Sequence, residues 1–294
     1  MGKRLEYGLF LCVRGILLLL PLKSAQRLGA GLGAFAYAVL SVRRRIALDN
    51  LRHAFPEKTE SERRAIAREA FRSYGIALCE FIWFPNLTGE GMARLVRYDC
   101  REKVREAAAD PRGLILLSGH FGNWELTAFA GAFLSGVPFT VVVQTQSNTM
   151  VDAVINGIRC LRGNRVVPMG IAIREIITTL RKGGVVALAA DQSGAKEGVY
   201  VDFFGRRVAT HQGPAAFALK TGASVKMGLT IRQADGSYAI VLEDIPTSDI
   251  DPAAPDALEV LTARHTAVLE AYIRRYPGHW QWMHRRWKHL QETP

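Results

Sequence analysis

Apolar and polar positions divide the chain into two regimes: long apolar runs and helical periodicity up to residue 95, then short apolar runs alternating with amphipathic stretches. Residues 8 to 20 are apolar except for Arg14, and after Pro21, Lys23 and Arg27 a second uncharged run extends from Leu28 to Val42. Each run reaches roughly 20 Å at ~1.5 Å per residue, short of a hydrocarbon core of about 30 Å. Lys3, Arg4, Lys23, Arg27 and the triplet Arg43-Arg44-Arg45 surround both runs. With positive charge kept inside, residues 1–45 are expected to form an uncleaved apolar helical membrane anchor, either one tilted span or a shallow hairpin on the cytoplasmic leaflet. Gly29-Ala-Gly31-Leu-Gly33-Ala34 imitates a dinucleotide-binding loop, but no strand precedes it. Gly29 and Gly33 instead make a small-residue face for close helix packing.

Thr59-Glu60-Ser61-Glu62 reads as a capping box, and Ile66, Ala70, Tyr74, Ala77, Leu78 and Phe81 then recur at helical spacing as a core face. From residue 96 the pattern predicts strands at 114–118, 139–144, 165–168, 185–190, 225–231 and 238–242. Helices are predicted at 123–134, 149–161, 171–182, 214–221 and 256–275. Such alternation implies an α/β fold, a mostly parallel central sheet covered by helices on both faces, within one domain spanning 46–294.

The strand at 114–118 lies between Gly113 and Gly119, and beyond it His120 leaves the carboxyl end with Glu125 about one turn inside the next helix. A neutral imidazole accepts a proton near pH 7, and a carboxylate on its other nitrogen fixes the tautomer, so this spacing fits a general base activating a hydroxyl. Asn123 and the amides around Gly122 are candidate oxyanion donors. Asp191 and Gln192 leave the end of the apolar run 185–190, a second strand end that the predicted parallel sheet places near His120.

The formal charge of +11 calls for an anionic partner, which nucleic acid, anionic lipid or an acidic carrier protein would each satisfy. Cys12, Cys79, Cys100 and Cys160 are scattered without a C-x-x-C pair, which argues against a disulfide framework or zinc site and for reduced thiols. The tail 276–288 holds three of the five tryptophans among basic residues, a mixture suited to a membrane interface or single-stranded nucleic acid. A serine hydrolase is disfavoured, since no G-x-S-x-G elbow occurs.

Gly-His-Phe-Gly-Asn-Trp-Glu at 119–125 resembles the H-x4-D/E motif of the lysophospholipid-acyltransferase-like superfamily, in particular its bacterial lipid A late-acyltransferase branch. Asn50-Leu-x-x-Ala-Phe-Pro56, the block from Gly198 to Gly205 and the W-x-H-R-R-x-K ending at 282–288 are also similar to that family. The resemblance implies an O-acyltransferase at the cytoplasmic face of the bacterial inner membrane, moving a fatty acyl chain from a thioester to a glycolipid hydroxyl. His120 would be the base with Glu125 orienting it. Arg159 would match the second motif and grip a phosphate; Asp191, Gln192, Gly205 and Thr210 would contact substrate. Implied partners are acyl carrier protein or acyl coenzyme A, an anionic phosphorylated glycolipid and the membrane, with no nucleic acid, metal or other cofactor. Arg206 and Arg207 are placed to form a basic rim for an acidic carrier. Ala190 stands where the family usually has Pro, and Ser193-Gly194-Ala195-Lys196 and His211 also depart from its pattern, which leaves the acceptor open: a lysophospholipid, an aminolipid or a phosphatidylinositol mannoside would suit the same fold. A non-catalytic basic protein binding lipid or nucleic acid would leave acyl thioester untouched.

Overall fold

The computed structural model describes residues 2–97, 101–170 and 173–291; Cys100 and the first two residues of the helix expected at 171–182 lie outside them. The capping box forms as predicted: the Thr59 side chain accepts from the Glu62 amide while Glu62 accepts from the Thr59 amide. It opens α4 (Glu60–Trp83), which follows α1 (Gly2–Leu19), α2 (Leu22–Val39) and α3 (Ser41–Ala54). Ala70, Ala77 and Phe81 are buried on α4, whereas Leu78 is exposed.

After α5 (Gly89–Leu95), β1 (Val96–Arg97) and α6 (Arg101–Ala108), the predicted alternation appears. It runs β2 (Leu114–Ser118), α7 (Trp124–Ser135), β3 (Phe139–Val143), α8 (Thr149–Arg159), β4 (Arg165–Pro168), α9 (Ile173–Arg181) and β5 (Val185–Ala189). A hairpin of β6 (Val199–Phe203) and β7 (Arg206–Thr210) precedes α10 (Gly213–Thr221), β8 (Ser224–Arg232), β9 (Tyr238–Ile245) and α11 (Ala257–Arg275). The main sheet has the order β1-β9-β8-β2-β5-β3-β4. Every neighbouring pair in it is parallel except β8 with β9. Side-chain alternation splits β2 between two cores: Leu114 and Leu116 meet Ala107, Ala108 and Ala132 of α6 and α7, while Ile115 and Leu117 join the core shared with α9 to α11 and the tail. The sheet is thus covered on both faces.

Of the two forms expected for the amino-terminal anchor, the first two helices do not provide the tilted span. Among the described residues no helix is long and apolar enough to cross a membrane. Instead α2 packs on α4: a Cβ on Gly33 would lie 2.2 Å from the Phe71 carbonyl oxygen, and one on Gly29 2.6 Å from that of Gly75. The small-residue face therefore serves helix packing. The Trp83 indole donates to the Leu20 carbonyl and Lys3 Nζ to that of Ser147, which tie α1 and the turn after it to the rest of the fold. The expected domain limit at residue 45 falls inside α3.

Candidate active site

Strands β2 and β5 are adjacent and parallel, with Ser118 opposite Ala189. Two residues further along each strand stand His120 and Asp191, so register alone brings them together at the carboxyl edge of the sheet. His120 Nδ1 lies 2.8 Å from Asp191 Oδ1, and the His120 amide donates to Asp191 Oδ2 at 2.7 Å. The same Oδ2 accepts the Trp280 indole N–H at 2.8 Å. Gly122, at φ +57, allows the loop to turn: a Cβ there would sit 1.9 Å from the Thr230 carbonyl oxygen.

The carboxyl-terminal strap holds this loop from outside. The Gly122 amide donates to the His279 carbonyl, and the Gln281 amide donates to that of His120. Trp280, Trp282 and Trp287 are all buried, which corrects the reading of this tail as a membrane or nucleic-acid surface. Arg286 is also buried; it donates to the Ala209 carbonyl and Thr210 Oγ1 and lies over the Phe203 ring. Burial lowers its pKa to about 10, partly offset by the charge of Asp191.

Asp191 keeps its charge although buried. Burial raises its pKa, but the His120 cation, the hydrogen bonds from His120 and the Trp280 donor outweigh that, leaving it below the usual carboxylate range. For His120, burial favours the neutral ring, yet the charge and hydrogen bond of Asp191, with a smaller contribution from Glu125, raise its pKa above the ordinary value. About a quarter of its side chain stays exposed (23 %), and Nε2 has the Gln192 amide nitrogen 3.5 Å away. The ring packs against Trp124, which stacks on Tyr74.

Glu125 is where the geometry departs most from the sequence reading. Its carboxylate is held by Arg159 through Nε at 3.0 Å and Nη2 at 2.5 Å, while Nη1 of the same guanidinium donates to Asn156. A fork matched to a carboxylate outcompetes an imidazole, so Asp191 orients His120 and Glu125 acts on it only through its charge. Arg159 thus commits its Nε–Nη2 edge to Glu125 and an Nη1 N–H to Asn156 rather than presenting the whole fork to a phosphate. Asn123, proposed as an oxyanion donor, is fully buried: its Oδ1 caps α7 at the Leu126 amide and its Nδ2 donates to Glu80. The Gly122 amide is likewise occupied by His279. Gly205 sits exposed in the β6–β7 turn, where φ +72 requires glycine, and Thr210 is buried beneath Arg286. Among the described residues no hydrogen bond joins either of them to His120, although Thr210 bridges Ser193 just beyond Asp191. Arg207 is tied to Glu259, Gln291 and the Tyr200 carbonyl, which leaves Arg206 alone of the expected basic rim.

Sequence reasoning passed over Glu80. Its buried carboxylate accepts Tyr238 Oη at 2.6 Å, Asn123 Nδ2 at 2.8 Å and Gln26 Nε2 at 2.6 Å, pinning α7, α4, α2 and β9 at one point. Burial raises its pKa. The available signal was a carboxylate set between Cys79 and Phe81 on an otherwise apolar helix face.

A buried carboxylate thus holds a partly open imidazole at the carboxyl edge of a parallel sheet, an arrangement suited to proton transfer at a bound substrate. The model for the bacterial lipid A biosynthesis acyltransferases matches residues 3–289, and the chain belongs to that family. Relatives from Escherichia coli K12 include a lipid A biosynthesis lauroyltransferase, 32% identical over 275 residues, covering 92% of this chain and 87% of its own. A palmitoleoyltransferase of the same pathway is 29% identical over 273 residues, 89% and 84% of the two chains. A myristoyltransferase is 29% identical over 194 residues, 65% and 59%. The activity is therefore acyl transfer in lipid A biosynthesis, and the three relatives are named for three different acyl groups.

Proposed function

We infer that the chain moves a fatty acyl group from a thioester donor to a hydroxyl of a phosphorylated glycolipid of the lipid A type, with His120 as general base. The observation that carries this reading is the contact of His120 Nδ1 with Asp191, which keeps the proton on Nδ1 and leaves the Nε2 lone pair outward. In the reaction Nε2 takes the acceptor hydroxyl proton as the oxygen attacks the thioester carbon. The tetrahedral intermediate then collapses with loss of the C–S bond, and the imidazolium returns its proton to the departing thiolate. Gln192, beside Nε2, is placed to donate to a reacting oxygen. Glu125, fixed by Arg159, adds negative charge that steadies the imidazolium.

The exposed apolar residues Leu28, Leu32, Phe35 and Val39 line one face of α2, and Leu5, Leu9, Ile16 and Leu19 are exposed on α1. This surface rests on the cytoplasmic leaflet of the inner membrane, an interfacial hairpin in place of a span, where a lipid acceptor is reached from below. Mass spectrometry tests the assignment. Wild-type protein incubated with an under-acylated lipid A precursor and an acyl thioester should give one added acyl ester, and His120→Ala should lower the rate by about 10² to 10⁴. Retention of more than about a tenth of wild-type turnover by His120→Ala would remove the base assignment. Acylation of a lysophospholipid, aminolipid or mannosylated phosphoinositide in place of the precursor would reassign the acceptor.

A further inference from the structure

A recess of about 680 Å³ opens between α2, α4 and the β8–β9 turn, and nothing in the acyl-transfer chemistry above uses it. Lys23 and Arg27 of α2, Arg72 of α4 and Arg232 at the end of β8 line it, with Glu69 and Asp235 as its carboxylates. Asp235 is already engaged by Ser237 and Arg97. None of the four cations has a carboxylate within ion-pair distance among the described residues, although the charge of Arg232 acts on buried Glu80; Arg159, Arg207 and Arg264 are by contrast each matched to a carboxylate. Unpaired like charges around one hollow repel one another, and a bound anion relieves that repulsion. Spread guanidinium and ammonium donors fit phosphate oxygens better than a single carboxylate.

The recess adjoins the catalytic loop. His279 lines it, stacks its ring on Phe121 at 5.5 Å, and accepts the Gly122 amide through its carbonyl. At about 100° per residue, Lys23, Arg27 and Ala30 fall on the side of α2 opposite Leu28, Leu32 and Phe35. With the apolar face on a leaflet, the recess therefore opens toward water, the side from which a soluble ligand arrives.

We propose that this recess binds phosphate groups of the acyl donor, holding the donor's phosphorylated carrier portion next to the loop that bears His120. The proposal rests on the acyl-transfer reading for the donor's identity, but the phosphate site itself is measurable without turnover. Phosphate is shared by a nucleotide-bearing thioester and by the glycolipid acceptor, so the test separates them. Full-length protein in detergent micelles is titrated with coenzyme A and with inorganic pyrophosphate by calorimetry, alongside Arg27→Glu/Arg72→Glu, two exposed positions without hydrogen-bonded partners. Arg94→Glu/Arg105→Glu makes the same charge change elsewhere and serves as control.

The proposal expects both probes to bind the wild type and the control, and the recess variant to lose about tenfold or more in affinity. It expects the KM for acyl coenzyme A to rise in step in the recess variant, with no matching rise for the glycolipid. No binding by wild type, or equal loss in the control, would overturn the site. A KM increase confined to the glycolipid would overturn the donor assignment. Absence of acyl transfer from any thioester, with coenzyme A binding still lost in the recess variant, would refute the catalytic reading and leave the phosphate site standing.

Discussion

His120 and Asp191 are 71 positions apart in the chain yet meet at 2.8 Å, because each lies two residues beyond a register pair of adjacent strands. Glu125, only five positions from His120, faces Arg159 instead. The orienting carboxylate of this site is thus delivered by strand pairing, and the nearer one is part of an ion pair beside it.

The two carboxylates should separate by mutation. In Glu125→Gln the imidazole keeps its hydrogen-bonded partner but loses a charge that raises its pKa, while Arg159 is left uncompensated and lowers it. The acid limb of the rate profile should move to lower pH, with a turnover loss about tenfold smaller than that of Asp191→Asn. Arg159→Gln in the Glu125→Gln background should cost little more, since the pair acts as a unit. Equal losses from Glu125→Gln and Asp191→Asn would return the orienting role to Glu125.

The strap has its own test in Trp280→Phe, which keeps an aromatic ring and deletes the N–H donated to Asp191. Loss of one hydrogen bond to a buried charge should cost on the order of 1–3 kcal/mol of stability and lower turnover by roughly tenfold. Urea unfolding and steady-state rates read both effects. Unchanged values in the two assays would make the indole contact incidental.

Much of the fold was legible because burial on both faces leaves near-continuous apolar runs: 114–118 coincides with β2 and 185–190 exceeds β5 by one residue, while 165–168 matches β4, an edge strand in which only Val167 is buried. The β6–β7 hairpin was passed over although Val199, Val201 and Phe203 alternate with polar neighbours, because the segment was read as a motif rather than as strands. Within the site, His120 follows from its place after a buried strand, and Asp191 was placed near it by the same argument. Its role was not legible, since the choice between two carboxylates depends on the β2–β5 register and on Arg159, neither of which has a local signature. Trp280 and Glu80 act across 89 and 43 residues respectively, distances at which the pattern of single residues carries no information.

Membrane contact is expected to follow the exposed face of α2 rather than a span. Leu28→Ser/Leu32→Ser/Phe35→Ser removes large apolar groups that already face solvent, so folding should be retained while partition onto anionic vesicles falls by about tenfold or more. Vesicle flotation at high salt measures it. Full retention on vesicles by this variant would place the attachment elsewhere.

His265 predicts an acid limit to stability. Burial, aided by the charge of Arg286, pulls its pKa down to about 4. The unfolded imidazole therefore takes up a proton that the folded one refuses, so its contribution is fully present above pH 6.5 and is lost as pH falls toward about 4. The loss is on the order of 3 kcal/mol for this group. Urea midpoints across that window should fall less steeply in His265→Gln than in wild type; parallel slopes would exclude the group.

The most direct test of His120 as a base oriented by Asp191 is the pH dependence of kcat/KM for acyl transfer, wild type against Asp191→Asn. Because the wild-type imidazole is held above its ordinary pKa, activity should rise along a limb whose midpoint lies above pH 6.5 and then level off. Removing the aspartate charge leaves burial as the main influence on the ring, so the limb should shift to lower pH while the plateau falls by about 10² to 10⁴. A wild-type profile without an acid limb, or an Asp191→Asn limb that stays in place or moves to higher pH, would contradict the mechanism.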